Sequence, residues 1–308
     1  MTAAHFFRKI LLSLIISVTF FAILELLLLL LNIPDVGIYR GDPNYVWWLR
    51  SNLYKEVQHI EENTKFLVIT DEHGFRIAER GVSQNWNIEK TDVQNEFILA
   101  LGCSTTFGWG VEGNKVWTHL LSEKKEIGIP VVNGGIPGWS TFQAVRGLLE
   151  TEQKIRKPKL IVLSYGVRDQ QLSYQDDRSM NPTPFMFRLQ LARLIRQGRL
   201  ASGNKMMDSK AMVYRVSVDD YRDNIDKISA IWTDVPILHF VFPNLNSEIS
   251  GHDQVLIDKG GIHFTNMFGA EEFFKNDRIH INEKGNQHLS DVLVPSILKL
   301  LSKSEHIE

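Results

Sequence analysis

The first pattern along the chain is a long apolar run. From Ile10 to Leu31 it reads ILLSLIISVTFFAILELLLLLL, interrupted only by Ser13, Ser17, Thr19 and Glu25. A helix of that length rises about 33 Å, against a bilayer hydrocarbon core of about 30 Å. Arg8 and Lys9 directly before it favour a cytoplasmic N-terminus, a bias tempered by Arg40 and Arg50 on the far side. A cleaved signal peptide would want a shorter apolar core and a small-x-small cleavage site, and Leu26 to Asn32 offers neither. The pattern therefore predicts a short cytoplasmic segment at 1–9 and an uncleaved, single-pass signal anchor at 10–32, with the remainder extracytoplasmic. Glu25 inside the run reads in two ways: an intramembrane contact with a partner helix, or a protonated or snorkelling carboxyl near one end.

Beyond the anchor, residues 33–96 form a linker and N-terminal extension. Tyr45, Trp47 and Trp48 suit either the headgroup zone or packing against the domain. Lys65 to Thr70 (KFLVIT) reads as a strand, Asp71 to Gly74 as a turn, and Gly81 to Glu96 as a polar surface loop. From Phe97 the texture changes. FILAL (97–101), PVVN (130–133), LIVLS (160–164) and VPILHFVF (235–242) are short apolar runs, as strands buried on both faces would be. Between and after them, 116–125, 141–155, 221–232 and 286–301 carry helical patterning. Strands alternating with helices imply a parallel sheet covered on both faces, hence one α/β domain over 97–301 and a short tail at 302–308. Residues 180–217 break the alternation, with Arg188, Arg193, Arg196, Arg199, Lys205 and Lys210 set among Leu and Met. They read as an insertion over the sheet edge, where specificity commonly resides; its basic face is either solvated or laid on anionic lipid.

Composition changes this picture little. Charged residues are 23% and the formal net charge is −2, so no polyanion partner is implied and a nucleic-acid role is set aside. The single cysteine, Cys103, excludes an intrachain disulfide and an all-cysteine metal site.

The candidate chemistry lies in the loops that follow the strands. Gly102-Cys103-Ser104-Thr105-Thr106-Phe107-Gly108 comes directly after the first buried strand. A serine there faces the crevice outside the carboxyl ends of the strands, with its amide near a helix N-terminus: a nucleophile position and one oxyanion donor. The plainer role is that Ser104 caps the helix. Asn276 to Asn282 (NDRIHIN) precedes the last helix, and Asp277, three residues before His280, can turn back to orient that imidazole as a general base. Taken alone, such a pair is more commonly a surface Asp and a turn histidine. The glycine-rich NGGIPGWS (133–140) allows close backbone approach, with Gly138 as a second oxyanion donor or simply part of a tight turn. Tyr165-Gly166-Val167-Arg168-Asp169 points into the same cleft.

Together these blocks resemble the SGNH/GDSL hydrolase family over roughly Phe97 to Leu301. GCSTTFGWGV is similar to the first family block, with Ser104 as nucleophile. NGGIPGWST resembles the second, with Gly138 in the oxyanion role. YGVRD resembles the third, and DRIHINEKG the last, carrying Asp277 and His280. HGFR at 73–76 resembles a segment found upstream in signal-anchored members. The resemblance implies a three-layer, flavodoxin-like α/β/α sandwich and hydrolysis of ester bonds without metal or cofactor. Two positions depart from the pattern. Cys103 replaces the Asp of GDS, and Arg168 stands where an asparagine donor is expected, offering a fork of N–H donors or recognising an anionic substrate. The expectation is a membrane-anchored serine esterase acting on an acyl or O-acetyl ester of a cell-surface glycan or lipid. The alternatives are an O-acyltransferase acting on extracytoplasmic polysaccharide and a catalytically degenerate module that binds glycan or assembles with membrane partners.

Overall fold

The computed structural model describes residues 3–31, 33, 35, 37–42, 46–79, 96–152, 157–179, 189–195, 212–245, 248–264 and 266–304. The expected loop at 81–95 lies outside these residues, as does most of the 180–217 insertion.

The apolar run forms helix α1 (Ala3–Leu30), in which Phe7–Leu30 is long and apolar enough to cross a membrane. Most of its side chains are exposed, and Leu28 is buried. A hairpin of β1 (Tyr39–Asp42) and β2 (Val46–Leu49) follows. The main sheet then draws on β3 (Tyr54–His59), β4 (Thr64–Thr70), β5 (Arg76–Ile77), β6 (Ile98–Gly102), β7 (Val131–Gly135), β8 (Leu160–Ser164) and β11 (Ile237–His239). Between β8 and β11 a two-stranded ribbon forms from β9 (Leu172–Ser173) and β10 (Val213–Tyr214). The helices are α2 (Ser104–Phe107), α3 (Trp117–Ser122), α4 (Thr141–Glu152), α5 (Val218–Ile231), α6 (Gly251–Asp258) and α7 (Glu283–Ser304).

The order across the sheet is β11-β8-β6-β7-β5-β4-β3. Its first four strands are parallel and the last three antiparallel, so the sheet is mixed and residues 54–77 continue it past β7. Strand periodicity explains the layers, because successive side chains point to opposite faces. Leu99, Leu101, Val132, Ile161 and Leu163 join Ala144, Leu148, Tyr221, Ile225 and Val255 from α4, α5 and α6 in one core. Ile98, Ala100, Val131, Leu160 and Val162 join Trp117, Leu121, Leu289, Leu293 and Ile297 from α3 and α7 in the other. The result is a three-layer α/β/α sandwich.

Element ends shift for local reasons. The helix expected from Tyr221 starts at Val218, because the Ser217 hydroxyl accepts the Asp220 N–H and caps it. Within the insertion, residues 190–195 are helical. Their first amides are satisfied by α1: Glu25 Oε1 accepts from Gln190 N at 2.5 Å and Oε2 from Leu191 N at 3.1 Å. The carboxyl inside the apolar run therefore makes a contact within the chain, which neither sequence-based reading of it foresaw.

Strand β6 is followed by β7 on one side and flanked by β8 on the other, so the chain's winding reverses there. Crevices at such points, outside the carboxyl ends of the strands, are where α/β sheets bind ligands.

Candidate active site

Ser104 is the first residue of α2, directly after β6. This one-turn helix is too short to hold its own position, and two buried side chains fix its far end. Asn133 Nδ2 donates to Thr106 O at 3.0 Å. Arg76, only 4% exposed, donates from Nη1 to Phe107 O (2.7 Å) and Gly108 O (2.6 Å), and from Nη2 to Val111 O (2.6 Å). Its guanidinium lies 4.4 Å from the Phe107 ring centroid. Burial pulls the Arg76 pKa down to about 9 against the opposing pull of Glu112, which leaves it charged at neutral pH. A planar cation with several donors suits a cluster of carbonyls that a helix C-terminus leaves unpaired.

His280 reaches Ser104 from the loop before α7. Its Nε2 lies 2.8 Å from Ser104 Oγ, and its Nδ1 lies 2.5 Å from Asp277 Oδ2. The loop is shaped by its own hydrogen bonds: Phe274 N donates to His280 O at 3.1 Å, and the Asn282 side chain donates from Nδ2 to Phe273 O at 2.9 Å. Fully buried Asn286 locks the start of α7 to that of α3 by accepting from Trp117 N at 3.0 Å and donating to Ile281 O at 3.0 Å. Asp277 Oδ1 accepts the Ile279 amide at 3.1 Å. Burial pushes the Asp277 carboxyl up. Its hydrogen bond to His280 and that ring's charge, with His59 and the Ile279 amide, outweigh burial and hold it well below the usual carboxylate range. An ionised carboxylate only accepts hydrogen bonds, so His280 carries a proton on Nδ1, and in the neutral ring the bare nitrogen is then Nε2, which faces the serine hydroxyl.

Gly138 lies at a φ of +81°, the left-handed region open to glycine. Among the described residues neither the Ser104 nor the Gly138 amide donates to a protein acceptor. The loop is braced on both sides. Trp47 Nε1 donates to Pro137 O at 3.2 Å. Fully buried Asp169 accepts from Thr141 N (2.8 Å) and Thr141 Oγ1 (2.6 Å) at the head of α4. Arg168 is half-buried, and its Nη1 donates to Gln171. Burial and then Arg215 pull the Arg168 guanidinium below its ordinary value, against Asp177, Cys103 and Tyr39. Cys103 is buried at 1% exposure, with Sγ 3.3 Å from Thr105 Oγ1.

Solved ester hydrolases resemble this chain. A psychrotrophic esterase, EstA from a Pseudoalteromonas species, is 17% identical with a TM-score of 0.42, over 68% of this chain and 100% of its own. A member of the lipolytic protein G-D-S-L family from Veillonella parvula DSM 2008 is 15% identical with a TM-score of 0.39, over 65% of this chain and 97% of its own. A carbohydrate acetylesterase family member from Sinorhizobium meliloti is 15% identical with a TM-score of 0.39, over 67% of this chain and 99% of its own. No family model matches the sequence, and no curated protein matches it.

Of the residues singled out from sequence, the structure brings Ser104, His280 and Asp277 into one hydrogen-bonded chain and sets Gly138 on a braced turn. Arg168 it places beside Gln171. Sequence reasoning missed His59, whose Nε2 lies 2.9 Å from Asp277 Oδ2. It noted Arg76 only as part of HGFR. His59, Glu61 and Asp277 present donor atoms within 4.8 Å of one another. Asp277 Oδ2 already serves two imidazoles, so this grouping orients a histidine rather than offering an open set of metal ligands.

Proposed function

We propose that this chain is a serine ester hydrolase of the SGNH/GDSL type, anchored by α1 with its α/β domain outside the cytoplasm. One observation carries the reading: the line Ser104 Oγ, His280 Nε2, His280 Nδ1, Asp277 Oδ2, with successive contacts of 2.8 and 2.5 Å. Hydrogen-bonded Ser, His and Asp in this order are what an activated serine requires.

In the mechanism, His280 takes the Ser104 proton as Oγ attacks an ester carbonyl. The amides of Ser104 and Gly138 receive the oxyanion, and Arg168 adds positive charge at the rim. Collapse expels the alcohol, which takes its proton from His280 and leaves an acyl group on Ser104. Water, deprotonated by His280, then releases the acid and restores the serine. The substrates that suit an anchored domain are acyl or O-acetyl esters of surface glycans or lipids.

The test is labelling of the detergent-extracted full chain with a fluorophosphonate probe, beside Ser104→Ala and His280→Ala. Labelling that requires both residues supports the reading. A folded, unlabelled wild type, or full labelling of Ser104→Ala, refutes it.

A further inference from the structure

Strand β3 precedes the continuous apolar strands in the chain and lies at the far edge of the sheet, yet it ends at Asp277. Along β3 only His59 is buried, at 0% exposure, while the other five residues are exposed or half-buried. Its ring is wedged in place. Gly110, at a φ of +90°, leaves room where an added Cβ would come within 2.6 Å of His59 Nδ1. The Phe274 ring meets the imidazole edge-on, with centroids 4.7 Å apart. From that position Nε2 reaches Asp277 Oδ2 at 2.9 Å.

The turn between β3 and β4 grips the same segment. Glu62 Oε1 accepts from Asp277 N at 2.9 Å and from Asn276 N at 2.5 Å, and Asn276 Nδ2 donates to Glu61 O at 3.1 Å. Of these four hydrogen bonds from β3 and its turn, two fall on Asp277 and two on Asn276 directly before it. Because a carboxylate only accepts, His59 must carry a proton on Nε2, and Oδ2 is shared by two imidazole donors.

Resting on the hydrolase reading, we propose that His59 is a positioning residue for the proton relay. It fixes the Asp277 carboxylate so that Oδ2 lies in line with His280 Nδ1, making the β3–β4 hairpin part of the catalytic apparatus. His59 touches neither the substrate nor Ser104 and acts only through Asp277. A small misplacement of a catalytic group can cost about 100-fold in rate.

The experiment compares the full chain with His59→Phe, His59→Gln and His59→Asn, each checked for a cooperative thermal transition. Gln places an amide N–H close to the position of the imidazole Nε2, whereas Asn is too short to reach Asp277. The expected result is a kcat for p-nitrophenyl acetate lowered about 10- to 100-fold in His59→Phe and His59→Asn, KM unchanged within twofold, and kcat largely restored in His59→Gln. In proton NMR of the same samples, the low-field Nδ1 resonance assigned through His280→Ala should move in His59→Phe and return in His59→Gln. A folded His59→Phe with wild-type kcat, or a folded His59→Gln as slow as His59→Asn, overturns the proposal. If the wild type neither labels nor turns over, the hydrolase reading has failed, and the resonance alone decides. A His280 signal indifferent to residue 59 then overturns the positioning role, and one that moves upholds it.

Discussion

Asp277 sits between a charge it must keep and a burial that opposes that charge. Hydrogen bonds to His280, His59 and the Ile279 amide settle the contest in favour of the anion. Its folded pKa is depressed, so the stability it contributes is present above its unfolded value of about 3.9 and is lost as pH falls toward the folded pKa. Unfolding midpoints of wild type and Asp277→Asn should therefore draw together as pH is lowered from about 4 towards 2, which denaturant titration at stepped pH measures. At neutral pH the same substitution replaces an acceptor by an amide and favours the wrong imidazole tautomer. Labelling by the fluorophosphonate probe should then slow about 10³- to 10⁴-fold. Ser104, Asp277 and His280 were readable in the sequence because each lies in a short block whose neighbours set its conformation. His59 was not, since its role depends on a partner 218 positions away and nothing around it differs from an ordinary strand end.

At the scale of elements, the short helix carrying Ser104 is held by side chains from neighbouring strands. Removing Arg76 would take the side-chain donor from Val111 O and the shortest hydrogen bonds from Phe107 O and Gly108 O, leaving these two only contacts of 3.4 Å. Arg76→Ala is expected to lower unfolding free energy by about 2–5 kcal/mol, and Arg76→Lys to recover little of it because an ammonium lacks the planar fork. Asn286→Ala strands the Trp117 amide where α3 and α7 meet, a loss of about 1–3 kcal/mol. Chemical denaturation reads both. The core strands were legible because continuous apolar runs bounded by glycine or proline have few other solutions, and Leu160 to Ser164 falls at the expected residues. Strand β3 went unread: YKEVQH alternates only weakly and buries one side chain. Five-residue β6 pairs along its whole length, whereas β11 is cut to three residues at the sheet edge.

For the whole molecule, the boundary that matters falls early in the chain. Strands β3, β4 and β5 close one side of the sheet and supply both Arg76 and His59. A chain beginning at residue 33 should unfold cooperatively and keep the labelling of the full chain. One beginning at residue 80 should lose both, as circular dichroism and probe labelling would report. The change of texture at Phe97 marks where apolar runs become continuous, which is a property of doubly covered strands. It says nothing of antiparallel strands that leave one face to solvent. The same limit applies to Glu25, whose partners on residues 190 and 191 are backbone amides that no side-chain pattern announces.

The lone thiol at Cys103 carries a consequence for measurement. It is buried beside Ser104, and the chain has no other cysteine to compete for a reagent. Modification by a soluble disulfide reagent would clock how often the turn carrying Ser104 opens. That clock should run faster in Arg76→Ala than in wild type at equal temperature.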